Sequence, residues 1–523
     1  MTTPDKITAE TSADQLPDDT NTLKQMVLTL LGQIDDLHGQ LYYLKRQLFG
    51  KKSEKLDPAQ RLLFEDLYDE VKAKIEEQKK PKAKVVKKRK NANHKGRRPL
   101  PKDLPRKVIE IEPSAEDKIC SVCHTEKQRI GSEETEKLEY VPASFYVKKY
   151  VRHKYACKPC QGKISIGSLP AMAIDKGIPG EGLLAHIISS KYCDHLPLNR
   201  LEGIFQRHDI AIDVSTMCDW VGKSADLLEP LVKRMHEKIL QSPKINTDDT
   251  AIPIKSKNRK GSTYKGYLWV YLDDKSNVVF DFTPNRSREG PIRFLGNYNG
   301  YVQADAYSGY DEFFRKGKAT EVGCNSHARR KFEYALDSDP VRAARMMVLW
   351  GRLYEIERKA KKEDYSSAQL LRVRQEEAKP ILAEIGTLLD QYQHQVLPKS
   401  PMGKAVTYAV NQWEALNRYI EDPILSIDNN VSERTLRMVV IGRKNYMFAG
   451  SEAGAERAAI IYSLVASCKL NGHDPFVYFR DVLKRVSTHR ADKIDELLPG
   501  NWKKPDSDIE DDGIDKAEIT RVA

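Results

Sequence analysis

Apolar residues near the N-terminus recur at alternating spacings of four and three. The row runs through Leu23, Val27, Leu30, Ile34, Leu37, Leu41, Leu44 and Leu48. This 3.5-residue repeat is typical of a coiled coil, and leucine at one seam position with some β-branched residues at the other favours a parallel dimer. A helix packed on its own chain is the alternative. We predict a disordered segment over 1–20 and a coiled-coil or helical dimerisation region over 21–78.

Three helical patterns follow in the middle of the chain, over Leu183–Tyr192, Pro197–His208 and Val214–Leu228. Short turns between short helices favour a helix-turn-helix-like region over 176–240, whose third helix would enter a DNA major groove. Any packing unit of three helices has the same pattern.

Strand patterns begin after Pro243. The first begins at Lys244–Asp248 and is followed by Ala251–Ile254; the others lie at Gly266–Leu272, Val278–Phe282, Gly300–Asp305 and Ala319–Cys324. A three-stranded antiparallel meander, followed by two strands that alternate with helices, predicts a ribonuclease H-like α/β domain over 241–470. A helical insertion is predicted over about 333–420, and a C-terminal helical region with an acidic tail over 471–523.

Length and charge change this picture in two ways. A chain of 523 residues suggests several domains, and it has neither an apolar run long enough to cross a membrane nor a secretion signal, so we expect a cytoplasmic, multidomain α/β protein. The net charge of +11 arises in Lys79–Lys107, which holds 14 basic side chains and one acid. This basic linker, 79–107, is either a solvated tether or a DNA contact. Its candidate DNA-binding residues are Lys87, Lys88, Arg89, Lys90, Arg97 and Arg98.

Four of the eight cysteines form two C-x-x-C pairs, Cys120 with Cys123 and Cys157 with Cys160. Two such pairs can place four thiolates around a tetrahedral Zn²⁺. Because the residues between them have strand patterns, a hairpin can bring the pairs together. We therefore predict a structural zinc-binding module over 108–175.

Two aspartates occur where strands are predicted to end. Asp248 lies near the end of the first strand and Asp305 closes the fourth, so adjacent strands can bring the two carboxylates together. Two Mg²⁺ or Mn²⁺ ions prefer such oxygen ligands and can stabilise the attacking and leaving oxygens of a phosphoryl transfer. Glu433, at the start of a helix after the insertion, is the best candidate for a third carboxylate.

Several strings together resemble the IS66 family of bacterial insertion-sequence transposases, across nearly the whole chain. They are Leu48–Leu56, the paired C-x-x-C module with Arg152–Cys157, Lys191–Leu198, Gln303–Tyr307, His327–Phe332, Ile427–Asn430 with Glu433 and Arg434, and Gly442–Asn445 with Phe448–Gly450. The resemblance implies a DDE transposase with Asp248, Asp305 and Glu433 as catalytic and metal-binding residues. It also implies supporting roles for Cys324 and His327, as a C-x-x-H element, and for Asn430.

One position departs from the family pattern. Where the family usually has Asp-Glu-Thr, this chain has Asp248, Asp249 and Thr250. Successive strand residues face opposite sides, so one of the two aspartates lines the site. The family position indicates Asp248, and Asp249 is the alternative.

The function implied by the resemblance is cleavage at terminal inverted repeats to expose 3′-OH ends and their joining to target DNA. Arg434, Arg437, Arg443 and Lys444 follow Glu433 and are expected to contact phosphates. The expected partners are double-stranded DNA, further copies of the chain in a homodimer or higher oligomer through the coiled coil, and small accessory proteins of the same element. No membrane contact is expected. A bacterial transposase is expected to be associated with the nucleoid when it is bound to DNA. The alternatives are a DNA-binding repressor with an inactive nuclease-like fold and a two-metal nuclease without strand transfer.

Overall fold

The computed structural model describes Asp19, Lys24, residues 145–155 and residues 165–505 except 176, 257–261, 276 and 318. In this part of the chain, no helix has the length and apolar character needed to cross a membrane. The chain divides into two compact units, one of residues 57–169 and one of residues 1–56 with 170–523.

The described part of the smaller unit contains two short antiparallel strands, β1 (Lys154–Tyr155) and β2 (Ser165–Ile166). The Arg152 guanidinium donates a hydrogen bond of 2.5 Å to the carbonyl of Gly167. These contacts pair a strand before the second C-x-x-C pair with a strand after it, whereas the sequence predicts a hairpin between the two pairs.

A five-stranded mixed sheet lies at the centre of the larger unit. Its strands are β3 (Lys244–Lys255), β4 (Thr263–Leu272), β5 (Val278–Thr283), β6 (Tyr301–Gln303) and β7 (Thr320–Val322). The spatial order is β5-β4-β3-β6-β7, with antiparallel pairing from β3 to β5 and parallel pairing from β3 to β7. The antiparallel meander followed by two further strands matches the predicted strand sequence.

Fourteen α-helices occur among the described residues. They are α1 (Glu181–Tyr192), α2 (Leu198–Gln206), α3 (Val214–Ile239), α4 (Glu289–Leu295), α5 (Asp311–Lys316), α6 (Asn325–Ala335), α7 (Pro340–Lys362), α8 (Ser367–Val373), α9 (Lys379–Gln393), α10 (Pro401–Asn411), α11 (Trp413–Asn417), α12 (Asn430–Tyr446), α13 (Glu452–Leu470) and α14 (Pro475–Arg485). Short 3₁₀-helices lie at Ser308–Tyr310, Arg418–Ile420 and Ala491–Leu497, and one π-helical turn at Arg374–Ala378.

The first strand of the sheet differs from its prediction. The sequence predicts that the first strand carries Asp248 near its end, whereas β3 continues to Lys255. Its pairing with β4 extends from Asn246 to Lys255 and carries the strand through Pro253. Asp248 is therefore in the middle of a strand, two residues past the point where the parallel pairing with β6 stops.

The three helices α1 to α3 share one hydrophobic core with the sheet. The prediction ended the third helix at Leu228, but α3 continues to Ile239 because Leu231, Val232 and Met235 remain on its buried face. Helix α3 packs on α13 and β5, and α1 packs on α14.

The edge strand β5 is covered by α13. Two backbone N–H groups of β5, those of Val278 and Phe280, donate to the hydroxyls of Ser467 and Ser463 at 2.9 and 2.8 Å. The unpaired backbone groups of an exposed edge strand can pair with other chains. Here the two serine hydroxyls accept hydrogen bonds from those N–H groups within the molecule.

The segment between β7 and α12 is helical, as the sequence predicts, and builds a second hydrophobic core. Arg374 is buried there, in the π-helical turn, and pairs with Glu357 at 2.8 Å. Its guanidinium also donates to the carbonyls of Tyr419, Asp422 and Leu425. Because those carbonyls belong to the chain that returns to α12, the insertion helps to set where α12 begins.

Candidate active site

Asp248 lies on β3, and Asp305 lies two residues after the end of the neighbouring parallel strand β6. Asn246 on β3 is directly opposite Gln303 on β6. Asp248 follows Asn246 by two residues on β3, so it shares a face of the sheet with Asn246, and Asp305 follows Gln303 by two residues in the loop after β6. Glu433 comes from the first turn of α12, which packs along β3.

The charges of Asp305 and Glu433 both affect the pKa of Asp248. Burial, followed by the negative charge of Asp305, raises the pKa of the Asp248 carboxyl to about 7, with smaller contributions from Asp249 and Glu433. One backbone group opposes this rise, because the N–H of Asp249 donates to Asp248 Oδ1 at 2.8 Å. Burial and negative charge therefore outweigh the one hydrogen bond that stabilises ionised Asp248.

Asp249 is engaged elsewhere. Its side chain is 6% exposed and accepts hydrogen bonds of 2.7 to 3.0 Å from the Arg286 guanidinium. The same guanidinium lies 3.8 Å from Asp305 and packs over the Tyr307 ring. Among the described residues Asp248 has no such cation, so Asp249 is the member of the pair that is already neutralised.

His327 and Arg330 of α6 hold Glu433. His327 Nε2 is 3.5 Å, and Arg330 Nη2 3.4 Å, from the carboxylate oxygens. Burial lowers the pKa of His327 against the opposing charge of Glu433, so the ring is neutral near pH 7. Its buried Nδ1 has no hydrogen-bond partner among the described residues.

Cys324 is placed to support the site rather than to act in it. It is fully buried, and burial raises the pKa of its thiol to about 12, which keeps the thiol neutral. Its sulfur accepts a hydrogen bond of 3.2 Å from the N–H of Asn429, and its carbonyl accepts from the N–H of His327. The C-x-x-H element therefore joins the end of β7 to the start of α12.

The two asparagines before α12 have different surroundings. Among the described residues, the side chain of Asn430 bonds only to Asp428, two residues earlier, at 2.7 Å. Asn429 is fully buried; its Nδ2 donates to the Thr247 carbonyl at 2.8 Å, and its Oδ1 accepts from Asn246 and Ser432, each at 2.8 Å. Asn429 thus ties the residue before Asp248 to the residue before Glu433.

Sequence reasoning missed Asn429, Arg286 and Gln303. Gln303 accepts from Asn246 at 3.2 Å and donates to the Ser426 carbonyl at 2.6 Å, which extends the buried amide network to β6. The available signal was the placement of two of these amides within the motifs that contain Asp305 and Glu433. Arg286 carries no comparable signal because it follows β5 in a polar loop.

The four basic residues of α12 separate into two kinds. Arg434, Arg437 and Lys444 are exposed. Arg443 is half-buried and donates to Thr250 Oγ1 at 2.8 Å and to the Ala251 carbonyl. Arg443 therefore anchors α12 to β3, while the other three present their charges to solvent.

The donor set is suited to a hard divalent cation, since carboxylate oxygens are the ligands that Mg²⁺ prefers. Within the described ranges, no group of three or more His, Cys, Asp or Glu side chains already has an arrangement that could hold a metal ion. Two of the three acids instead have a protein cation beside them, Arg286 beside Asp305 and Arg330 beside Glu433.

Other predicted features lie outside the described residues. These are the eight apolar residues of the predicted coiled coil, the six candidate DNA-binding residues of the basic linker, and the cysteines Cys120, Cys123, Cys157 and Cys160.

Comparison with known families places the chain among the transposases. A family model described as the IS66 transposase family matches residues 176–457, and one described as the IS66 C-terminal element matches residues 463–499. A zinc-finger binding domain of IS66 transposases matches residues 117–161. The chain belongs to the IS66 family of transposases, as the resemblance implies.

Relatives support the match over the full chain. The uncharacterized protein y4jD of Sinorhizobium fredii is 33% identical over 94% of this chain and 98% of its own length. Two further uncharacterized proteins of that strain, y4hP and y4qI, are 31% and 33% identical over 78% and 73% of this chain, and over 77% and 73% of their own lengths.

The family assignment fixes some partners in general terms. A DDE transposase family implies use of a divalent metal, the zinc-finger match implies zinc binding, and DNA is the partner of a transposase. A model described as a transposase homeodomain matches residues 36–109. That stretch covers residues 36–78 of the predicted coiled-coil region and the basic linker at 79–107. It precedes the helices at 176–240, for which the sequence suggested DNA binding.

Proposed function

We propose that this transposase cleaves DNA at the terminal inverted repeats of its element and joins the exposed 3′-OH ends to target DNA. The observation that carries the proposal is the register of β3 with β6, in which Asp248 and Asp305 each follow the paired Asn246 and Gln303 by two residues, while Glu433 lies on the helix that packs along β3. The order β5-β4-β3-β6-β7, with one change from antiparallel to parallel pairing, supports a ribonuclease H-like domain.

Asp248, Asp305 and Glu433 are the proposed ligands of two Mg²⁺ or Mn²⁺ ions. Such ions stabilise charge on the attacking and leaving oxygens of an in-line displacement. In the first step, water attacks the phosphodiester, the bond to the 3′ oxygen breaks, and that oxygen leaves as a 3′-OH. In the second, this hydroxyl attacks a target phosphodiester, and a target 3′-OH leaves.

The surrounding residues have distinct tasks in this scheme. The neutral His327 orients Glu433, and Asn429 sets the separation of β3 and α12. Arg286 balances the charge of Asp249, which supports Asp248 as the ligand of the pair. The residues of the zinc module, Cys120, Cys123, Cys157 and Cys160, are proposed to hold structural Zn²⁺. The basic linker is proposed to contact DNA, and the coil to form a homodimer.

The direct test incubates the full-length protein with Mg²⁺ and labelled duplexes that carry the ends of the element, together with unlabelled target DNA. We expect two products, a strand with a free 3′-OH and a longer joined strand, and neither in EDTA. Cleavage without joining would identify a two-metal nuclease, and binding without either product a repressor.

Replacing Arg286 with alanine is expected to tighten Mn²⁺ binding. The guanidinium lies 3.8 Å from Asp305, and removing one half-exposed cation at that distance favours a bound dication by about 1 kcal/mol, or roughly fivefold. The measurement is a Mn²⁺ titration followed by electron paramagnetic resonance. Arg288→Ala is the matched control, because Arg288 is nearby but pairs with Glu312. Equal Mn²⁺ affinity in the two variants would contradict the expectation.

A further inference from the structure

One face of α12 carries a row of exposed residues that starts beside Glu433. Arg434, Arg437, Ile441 and Lys444 follow one another at helical spacings of three and four, so they form a single stripe. Within the described residues, none of the three cations in this basic stripe forms an ion pair. A row of unpaired cations along a straight helix matches the charge of a phosphate backbone.

The stripe ends at an exposed apolar tip, Met447 and Phe448. These two residues are 66% and 40% exposed, and Ile441, six residues before Met447, is 43% exposed. Large apolar side chains rarely stand together on a surface unless a partner covers them. Here the neighbouring surface is cationic, which favours a polyanion over an apolar protein face.

The backbone holds the tip in a strained conformation. Met447 has a φ of 64°, in the left-handed region that bulky residues seldom occupy. The strain is maintained from both sides: Met447 N–H donates to the Arg443 carbonyl, and Ala449 pairs with Pro253 and Lys255 of β3. Strained residues of this kind cluster at sites that contact ligands.

We propose that the apolar tip stacks on an unstacked base of the DNA strand whose phosphates follow the basic stripe. Proteins that insert Met or Phe between base steps flank the wedge with basic residues, as α12 does. The inference rests on the proposed function, since it takes Glu433 to mark the cut phosphodiester.

The helix sets where the stacked base lies. Met447 is 14 residues beyond Glu433, which corresponds to about 21 Å at a rise of about 1.5 Å per residue. In a duplex the phosphates of one strand advance about 3.4 Å per nucleotide along the helix axis, which in this proposal runs along α12. The tip therefore meets the DNA roughly six nucleotides from the cut phosphodiester.

The test places 2-aminopurine, whose fluorescence rises on unstacking, at each position from about two to about ten nucleotides from the cleavage point. The full-length protein is added, and DNA binding and Mg²⁺-dependent cleavage are measured on the same preparation. We expect a fluorescence maximum near the sixth nucleotide. In Phe448→Ala the maximum disappears, and binding weakens by roughly fivefold.

Two further variants separate stacking from folding. Met447→Gly relieves the positive φ, so it is expected to be at least as stable as the parent and still to lower the maximum. Val341→Ala, which removes an exposed apolar side chain from the start of α7, is the control and leaves the signal unchanged. A protein that binds and cleaves without a maximum, or a maximum that survives Phe448→Ala, overturns the stacking proposal. Absence of DNA binding and cleavage in the parent protein contradicts the proposed function instead.

Discussion

Asp305→Asn is expected to abolish DNA cleavage and joining while leaving the protein folded. Removing one carboxylate of a metal site forfeits about 4 kcal/mol of transition-state stabilisation, or roughly a thousandfold in rate. The measurement is single-turnover cleavage of terminal DNA in Mg²⁺. Asp311→Asn, on the exposed first turn of α5, is the matched control and should cleave normally. Cleavage by Asp305→Asn at the parent rate would exclude Asp305 as a ligand.

The same variant has a stability signature in metal-free protein. Burial and the charge of Asp305 raise the pKa of Asp248 to about 7 in the folded state, whereas the ordinary value of an aspartate carboxyl is 3.8. The folded state therefore prefers protonated Asp248, and the stability this provides is complete below about pH 4 and is lost as the pH rises through about 7. In Asp305→Asn the Asp248 pKa is less raised, so the Tm should fall less between pH 5 and pH 8. An unchanged fall would show that the two carboxylates do not interact.

Asn429→Ala is expected to produce the largest loss of stability in the catalytic domain. The substitution removes the donor to the Thr247 carbonyl and the acceptor for Asn246 and Ser432, all of them buried. Each buried polar group left without a partner costs about 1 to 3 kcal/mol, so the sum is about 3 to 6 kcal/mol after relaxation. Equilibrium unfolding in urea measures it.

Activity separates a positioning role for Asn429 from a purely structural one. Asn429→Asp keeps an acceptor for Asn246 and Ser432 but loses the donor to Thr247, which precedes Asp248. At a temperature where this variant is fully folded, we expect slower cleavage with unchanged DNA affinity. Asn430→Ala, which loses only a local bond to Asp428, should retain both stability and rate. If Asn430→Ala reduced cleavage more than Asn429→Asp, the roles of the two asparagines would have to be exchanged.

Periodicity predicted most elements of the catalytic unit. The strand patterns at Gly266–Leu272 and Val278–Phe282 correspond to β4 and β5 within one to three residues, because long strands with apolar faces have a strong local signal. The prediction that the first strand ends near Asp248 was wrong. Two successive aspartates and a proline weaken the strand signal locally, whereas pairing with β4 over Asn246–Lys255 stabilises an unbroken strand.

The sequence by itself determined the family, the two C-x-x-C pairs, the concentration of positive charge in one segment and the three candidate acids, because each is a matter of residue type and spacing. Only the tertiary structure decided which side chains neutralise one another. It pairs Asp249 with Arg286, ties Arg443 to β3, and makes Asn429 rather than Asn430 the link between β3 and α12. These partners are separated by 37 to 193 residues along the chain. Their contacts depend on how strands and helices pack, and no local preference of the chain encodes that.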